Sequence, residues 1–197
     1  MEAAALIQAV TDRFPDTVRA SHSYRGDATE VLGRDSLLQV ARTLKEDPAF
    51  QMNFLMDLTA VDFSSFAQQR SPAFFTSSGV AVSPSPQIPD QDPWPGPPTS
   101  YPNAARFVVV YHFFSLPLKH RLRLEVPLEE ADAEVDSLSA LWGAADWLER
   151  EVWDMFGIRF RGHQNLKRIL MYEEFVGHPL RKDYAVNKRQ PLIGPIN

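Results

Sequence analysis

Apolar residues recur at two spacings along the chain, and the switches between them mark out its elements. In 2–14, Leu6, Val10 and Phe14 fall four apart, one face of a helix that Pro15 stops. From 17 to 24 the period drops to two, with Val18, Ala20, His22 and Tyr24 on one side. Arg25-Gly26-Asp27 is a turn and Thr29 to Leu32 a second short strand, which together predict a hairpin. That turn also accounts for an Arg-Gly-Asp triplet that would otherwise suggest an adhesion motif. Asp35 is placed to cap a second helix, whose stripe is Leu37, Val40, Ala41 and Leu44 and whose end is Asp47-Pro48.

Residues 52–63 read as a strand carrying Asp57 and Asp62. Acids in such a place ordinarily lie on a solvated face or at a strand end; the sharper reading is a catalytic pair. Arg106 to Phe114 is a continuous apolar run, the pattern of a buried strand. From Lys119 to Val126 the chain alternates, with Leu122, Leu124 and Val126 inward and Arg121, Arg123 and Glu125 outward. Ser115 to Leu118 joins the two as a short hairpin link, and each inward leucine should stabilise by roughly 1.5–3 kcal/mol. Residues 137–156 are helical in pattern. Ser137 caps a first part, Gly143 divides it from the main helix, and Leu148, Val152, Met155 and Phe156 form the stripe. Gly157 follows at the place where a left-handed residue closes a helix. Beyond Leu170 no apolar period is sustained.

These elements predict an α+β fold: a mixed or antiparallel sheet of about five strands with helices on one face. The predicted organisation is an α+β domain over 1–156 and a basic, largely extended C-terminal arm over 157–197. Residues 67–103 interrupt the domain. They hold nine of the 16 prolines, and proline supplies no amide donor, so neither helix nor sheet persists there. An SH3-type ligand is one reading of its P-x-x-P spacing; the plainer one is an elongated connection between two strands, lying on a neighbour or on the body, with Phe74, Phe75, Trp94 and Tyr101 packing down.

Composition narrows the function. The net charge of −5 argues against nucleic acid as a partner. The charge is uneven: 1–148 carries 11 bases and 19 acids, 149–197 carries 9 bases and 6 acids. A basic end on an acidic body suggests a partner surface. There is no cysteine, which excludes disulfides and cysteine-ligated clusters or zinc. No apolar run approaches the ~20 residues that span a bilayer, and Met1 to Gln8 lacks the basic start of a secretory signal. Walker, dinucleotide and G-x-S-x-G motifs are absent, and no two histidines have H-E-x-x-H spacing. His112 and His120 read as structural residues of the strands. His163 and His178 read as loop-orienting or interface groups, with a general-base role as the sharper alternative.

One stretch carries more. Glu149-Arg150-Glu151, Asp154, Met155, Phe156, His163, Lys167, Ile169 and Leu170 fill every place of a spaced signature: E-R-E, an acid and two apolar residues, then a base six residues on, and a base and two apolar residues beyond it. This resembles the thirty-kilodalton subunit of respiratory complex I, the proton-pumping NADH:quinone oxidoreductase. Gly177 to Tyr184, G-H-P-L-R-K-D-Y, looks like the same family's second motif; Gln164 and Ala185 stand where prolines are frequent in it.

The resemblance implies a non-catalytic member of the peripheral arm, scaffolding the quinone-reducing module from the cytoplasmic face of the inner membrane. It implies no cofactor on this chain, with NADH, FMN, iron–sulfur clusters and quinone bound by other subunits. The implied partners are the forty-nine-kilodalton-type subunit and cluster-bearing neighbours, and the membrane is reached only through the complex. The interface residues it implies are Glu149, Arg150, Glu151, Asp154, Phe156, Gly157, His163, Lys167 and Arg168, and then Gly177, His178, Pro179, Leu180, Arg181, Lys182, Asp183 and Tyr184. Helical spacing pairs Arg150 with Asp154, and cross-subunit carboxylates are the expected targets of Lys167-Arg168 and Arg181-Lys182. The alternatives are the equivalent subunit of a ferredoxin-linked complex or membrane-bound hydrogenase, and a free-standing hydrolase.

Overall fold

The computed structural model describes residues 2–64 and 105–190. The proline-rich insertion expected at 67–103 lies outside the described residues, as do Leu192 and Ile193. Three helices, α1 (Ala3–Arg13), α2 (Leu37–Glu46) and α3 (Gly143–Phe156), pack on a sheet of β1 (Val18–Tyr24), β2 (Asp27–Leu32), β3 (Phe54–Asp62), β4 (Ala105–Ser115) and β5 (His120–Glu129). The strand order is β1-β2-β5-β4-β3. β2 runs parallel to β5 and the remaining pairs are antiparallel, so the sheet of five strands is mixed, one of the two forms the pattern allowed.

Alternation decides which face is covered. Phe107, Val109, Tyr111 and Phe113 of β4 and Leu122, Leu124, Val126 and Leu128 of β5 share one apolar cluster with Leu6, Val10, Leu37, Val40, Leu44, Val152 and Phe156 of the helices. The helices therefore lie on one face. Arg25 and Gly26 both take positive φ, 52° and 86°, the pair a two-residue hairpin requires; the Arg-Gly-Asp triplet is this turn.

Local differences from the sequence reading have local causes. Asp35 does not cap α2: Arg34–Ser36 forms a 3-10 turn, Ser36 occupies the cap, and its hydroxyl donates back to the Gly33 carbonyl at 2.7 Å. Ser137 does not begin a helix either. Its hydroxyl is drawn to the Glu149 carboxylate, and α3 starts six residues later, after an extended Trp142. Two three-residue strands complete the fold: β6 (Glu134–Asp136) and β7 (Arg159–Arg161) pair in parallel and tie the chain beyond α3 to the body.

Candidate functional site

The charged signature residues sit on α3 and point inward. Glu149 and Asp154 are fully buried and Arg150 nearly so, at 8% exposure. Buried charges persist only where hydrogen bonds replace water, and each of these has found its partners in this chain. Glu149 accepts from the Leu138 amide and the Ser137 hydroxyl, both at 2.6 Å. Arg150 donates from Nε to the carbonyl of Lys167 at 3.2 Å and from Nη2 to that of Arg168 at 3.1 Å, with its guanidinium 5.4 Å from the Trp147 ring centre.

Asp154 is the focus. Its Oδ2 accepts three successive amides, Ile169, Leu170 and Met171, at 3.1, 2.9 and 2.8 Å, and Oδ1 accepts from Arg168 Nη1. The expected Arg150–Asp154 pair is thus corrected to Arg168–Asp154. A loop folded into a concave nest offers one carboxylate four donors, and a single i,i+4 neighbour cannot match that. Burial pushes the Asp154 carboxyl up, but the Met171 amide, the Arg168 guanidinium and the Ile169 and Leu170 amides outweigh it, and the group stays below the usual carboxylate range. Burial raises Glu149 to about 7, against the pull of Ser137 and Leu138 and with the Asp146 charge adding to the rise.

The second motif closes the same helix. The last carbonyls of a helix lack intrahelical donors. Here His178 Nδ1 donates to the Asp154 carbonyl at 2.9 Å, the Leu180 amide to that of Met155 at 3.1 Å, and Arg181 Nε to that of Phe156. The Arg181 charge also complements the negative end of the helix dipole. Gly157 makes this approach possible. Its φ is 75°, and a Cβ there would lie 2.6 Å from His178 Nε2 and 2.7 Å from Arg181 Nη2. Desolvation lowers the His178 pKa, as do Arg181 and Arg168, so the ring is neutral with its proton on Nδ1. His163 holds the other tautomer: Nδ1 accepts the Asn165 amide at 3.0 Å and Nε2 faces Asp146 at 3.0 Å. Both histidines therefore orient loops.

The motif ends on a cluster that sequence reasoning missed. Asp62, 3% exposed, closes β3, and Arg106 stands at the start of β4. Arg106 meets Asp62 at 3.0 Å, Asp183 at 2.9 Å and Glu130, while Asp62 also accepts the Lys182 amide at 2.9 Å. Asp62 therefore stands at the strand end, as one of the ordinary readings had it, but buried and not solvated. It is a buried partner of Arg106, and Asp57 stands apart from it at a strand irregularity, holding the Leu58 amide. Burial pushes Asp62 up, but Arg106, the Lys182 amide and Ser64 hold it far below the carboxylate range; Arg106 is raised in turn, chiefly by Asp62. The one available clue was that both residues flank the proline-rich insertion.

The two motifs therefore meet at the end of α3. Arg168 spends both terminal nitrogens within the chain, on Asp154 and on the Phe175 and Gly177 carbonyls, whereas Arg181 spends only Nε, on the Phe156 carbonyl. Phe175 stacks on Tyr184 at 6.0 Å, and Tyr172 meets Phe175 edge-on. Glu151, Lys167 and Lys182 remain exposed, and so do Trp147 (62%), Leu170 (57%), Val176 (58%) and Leu180 (51%). Among the described residues no three His, Cys, Asp or Glu side chains gather as a metal site would require. None of their helices is long and apolar enough to cross a membrane.

Residues 31–190 match the family model described as "Respiratory-chain NADH dehydrogenase, 30 Kd subunit". An NADH-quinone oxidoreductase subunit of Citrifermentans bemidjiense is 40% identical over 94% of this chain and 92% of its own length. Its counterpart in Coxiella burnetii is 37% identical over 99% of this chain and 81% of its own. Among solved structures, a trypsin-resistant fragment of Nqo5 superposes with a TM-score of 0.54 at 26% identity, covering 83% of this chain and 98% of that one.

Proposed function

The chain belongs to the thirty-kilodalton subunit family of respiratory-chain NADH dehydrogenase, and from that premise we propose that it serves the NADH:quinone oxidoreductase as a non-catalytic scaffold of the peripheral arm. In this reading it performs no step of electron transfer. It holds in place the subunits that do, chiefly the forty-nine-kilodalton-type subunit and its cluster-bearing neighbours. NADH, FMN, iron–sulfur clusters and quinone are bound by those subunits. The chain meets the membrane only through the proton-translocating complex, on its cytoplasmic face.

The observation that carries this reading is the use made of the signature residues. The carboxylates of Glu149 and Asp154 are used as acceptors for this chain's own donors, and His163 and His178 are committed to carbonyls of α3, His163 also to a loop amide. In this reading those groups serve to build a surface. The surface they build presents Trp147, Leu170, Val176 and Leu180 to the outside. Large apolar side chains exposed along one segment are the mark of a protein contact. The grip on companions in this reading falls to these side chains, to Glu151, Lys167 and Lys182, and to the terminal nitrogens that Arg181 keeps after its Nε is spent on the Phe156 carbonyl.

The test is affinity purification of the tagged chain from membranes opened with mild detergent, followed by mass spectrometry. Cluster-bearing proteins and a forty-nine-kilodalton-type subunit should come with it. A chain recovered alone from such membranes would overturn the scaffold reading.

A further inference from the structure

Arg168 is answered inside the chain on both terminal nitrogens, but one cleft beside it keeps fixed donors in reserve. His178, Arg181, Asp183, Tyr184 and Lys188 line an open recess of about 310 Å³. Arg181 uses Nε on the Phe156 carbonyl and lays its guanidinium 5.1 Å from the Phe107 ring centre. Those contacts fix the plane of the group and leave Nη1 and Nη2 without a hydrogen bond among the described residues. Lys188 donates to the Val176 carbonyl at 3.2 Å and lies 5.2 Å from the Tyr184 ring centre. An ammonium has three hydrogens to give, so Lys188 retains donors as well. The acid on the lining, Asp183, is held by Arg106 at 2.9 Å, a guanidinium it shares with Asp62 and Glu130. His178 turns its Nδ1–H to the Asp154 carbonyl and presents a lone pair on Nε2, so it does not serve an anion.

The recess thus combines an immobilised guanidinium fork and a lysine, with its own acid turned to Arg106. We propose that it receives one carboxylate side chain, an aspartate or glutamate, from a neighbouring subunit of the complex. A planar carboxylate matches two parallel N–H bonds from the fork, and Lys188 supplies a third donor. The exposed Leu180 beside Arg181 suits a protein surface around that acid. This assignment rests on the chain being a subunit of such a complex, and it names the chemistry of one contact.

The assembled complex tests it by zero-length carbodiimide coupling, which joins a carboxylate only to an amine in direct contact. The expected product is a peptide containing Lys188 joined to an Asp or Glu of another subunit. Arg181→Gln should lower its yield about tenfold, the equivalent of ~1.4 kcal/mol. Because that variant also loses a contact to α3, the unmodified chain is measured separately: an amine-reactive reagent should label Lys188 readily in the isolated chain and about tenfold less in the complex. Equal labelling in both states, or coupling of Lys188 only to acids of its own chain, would overturn the proposal while leaving the subunit reading intact. Failure of the chain to co-purify at all would strike the subunit reading first.

Discussion

Leu122, Leu124 and Val126 are held in the sheet by apolar contact with the helices, whereas the segment from His163 to Tyr184 is held by hydrogen bonds to charged groups and helix carbonyls. The difference is one of cooperativity. Apolar burial is shared among many neighbours, so the body should melt as a unit. The C-terminal segment hangs on a few directed bonds, chiefly at Asp154, at Asp62 and at the carbonyls ending α3. Such a segment can open while the body stays folded. Two regions of one chain thus answer to different perturbations, and the second region carries the second family motif and the end of the first.

The contrast fails if the regions do not separate under mutation. The largest effect is expected from Leu124→Ala in the fully buried centre of β5. Truncation there should cost about 4 kcal/mol in urea unfolding, and hydrogen exchange should quicken throughout, the amides of 169–171 included. Asp154→Ala comes next. It removes the acceptor for three amides and leaves Arg168 without its acid, at a local cost of about 3 kcal/mol. Exchange at 169–171 should quicken while β4 and β5 remain protected. Equal loss of protection in the sheet would show that the segment and the body are one unit.

The two regions should also part company with pH. Glu149, raised by burial to about 7 from an ordinary 4.5, holds its proton more tightly when folded. Its contribution is fully present below 4.5 and is lost as pH rises through 7. Asp154, depressed from an ordinary 3.8, acts oppositely: its contribution is present above that value and is lost as pH falls through the lowered one. The body should therefore loosen toward alkali and the segment toward acid. Glu149→Gln should flatten the alkaline decline in thermal melts by an amount on the order of 2 kcal/mol, and an unaltered slope would remove Glu149 from the account. Gly157→Ala should cost about 1.5 kcal/mol for the left-handed backbone alone, with the loss of the His178 and Arg181 contacts added to it. Its sharper signature is faster exchange at the Leu180 and Lys182 amides, because the new methyl displaces His178 and Arg181. Protection of those two amides at the native level would mean the close approach is not required.

Reading the chain one window at a time recovers what is decided locally. The Arg25-Gly26 turn, the apolar run of β4 and the glycine ending α3 all follow from spacing and backbone preference, and the structure has each of them; in β5 Leu122, Leu124 and Val126 are inward as the alternation predicts, but Glu125, expected outward, is buried, because the strand lies inside the sheet between β2 and β4. The charged signature was legible as a pattern, and family membership with it, but the direction its side chains face was not. A helix that alternates acids and bases looks solvated in sequence, because nothing in the pattern announces a loop arriving fifteen residues later to be captured. β6 and β7 are three residues each, too short for periodicity to register.

The elements, their apolar faces and the family are thus written in the order of residues, since each depends on a short window of the chain. It took the folded molecule to settle that Asp62 answers the amide of Lys182, 120 positions away, that Arg168 and not Arg150 meets Asp154, and that the second motif is the cap of the first motif's helix. Those choices belong to buried polar groups, and a buried polar group takes whichever donors or acceptors the completed fold brings within hydrogen-bond reach.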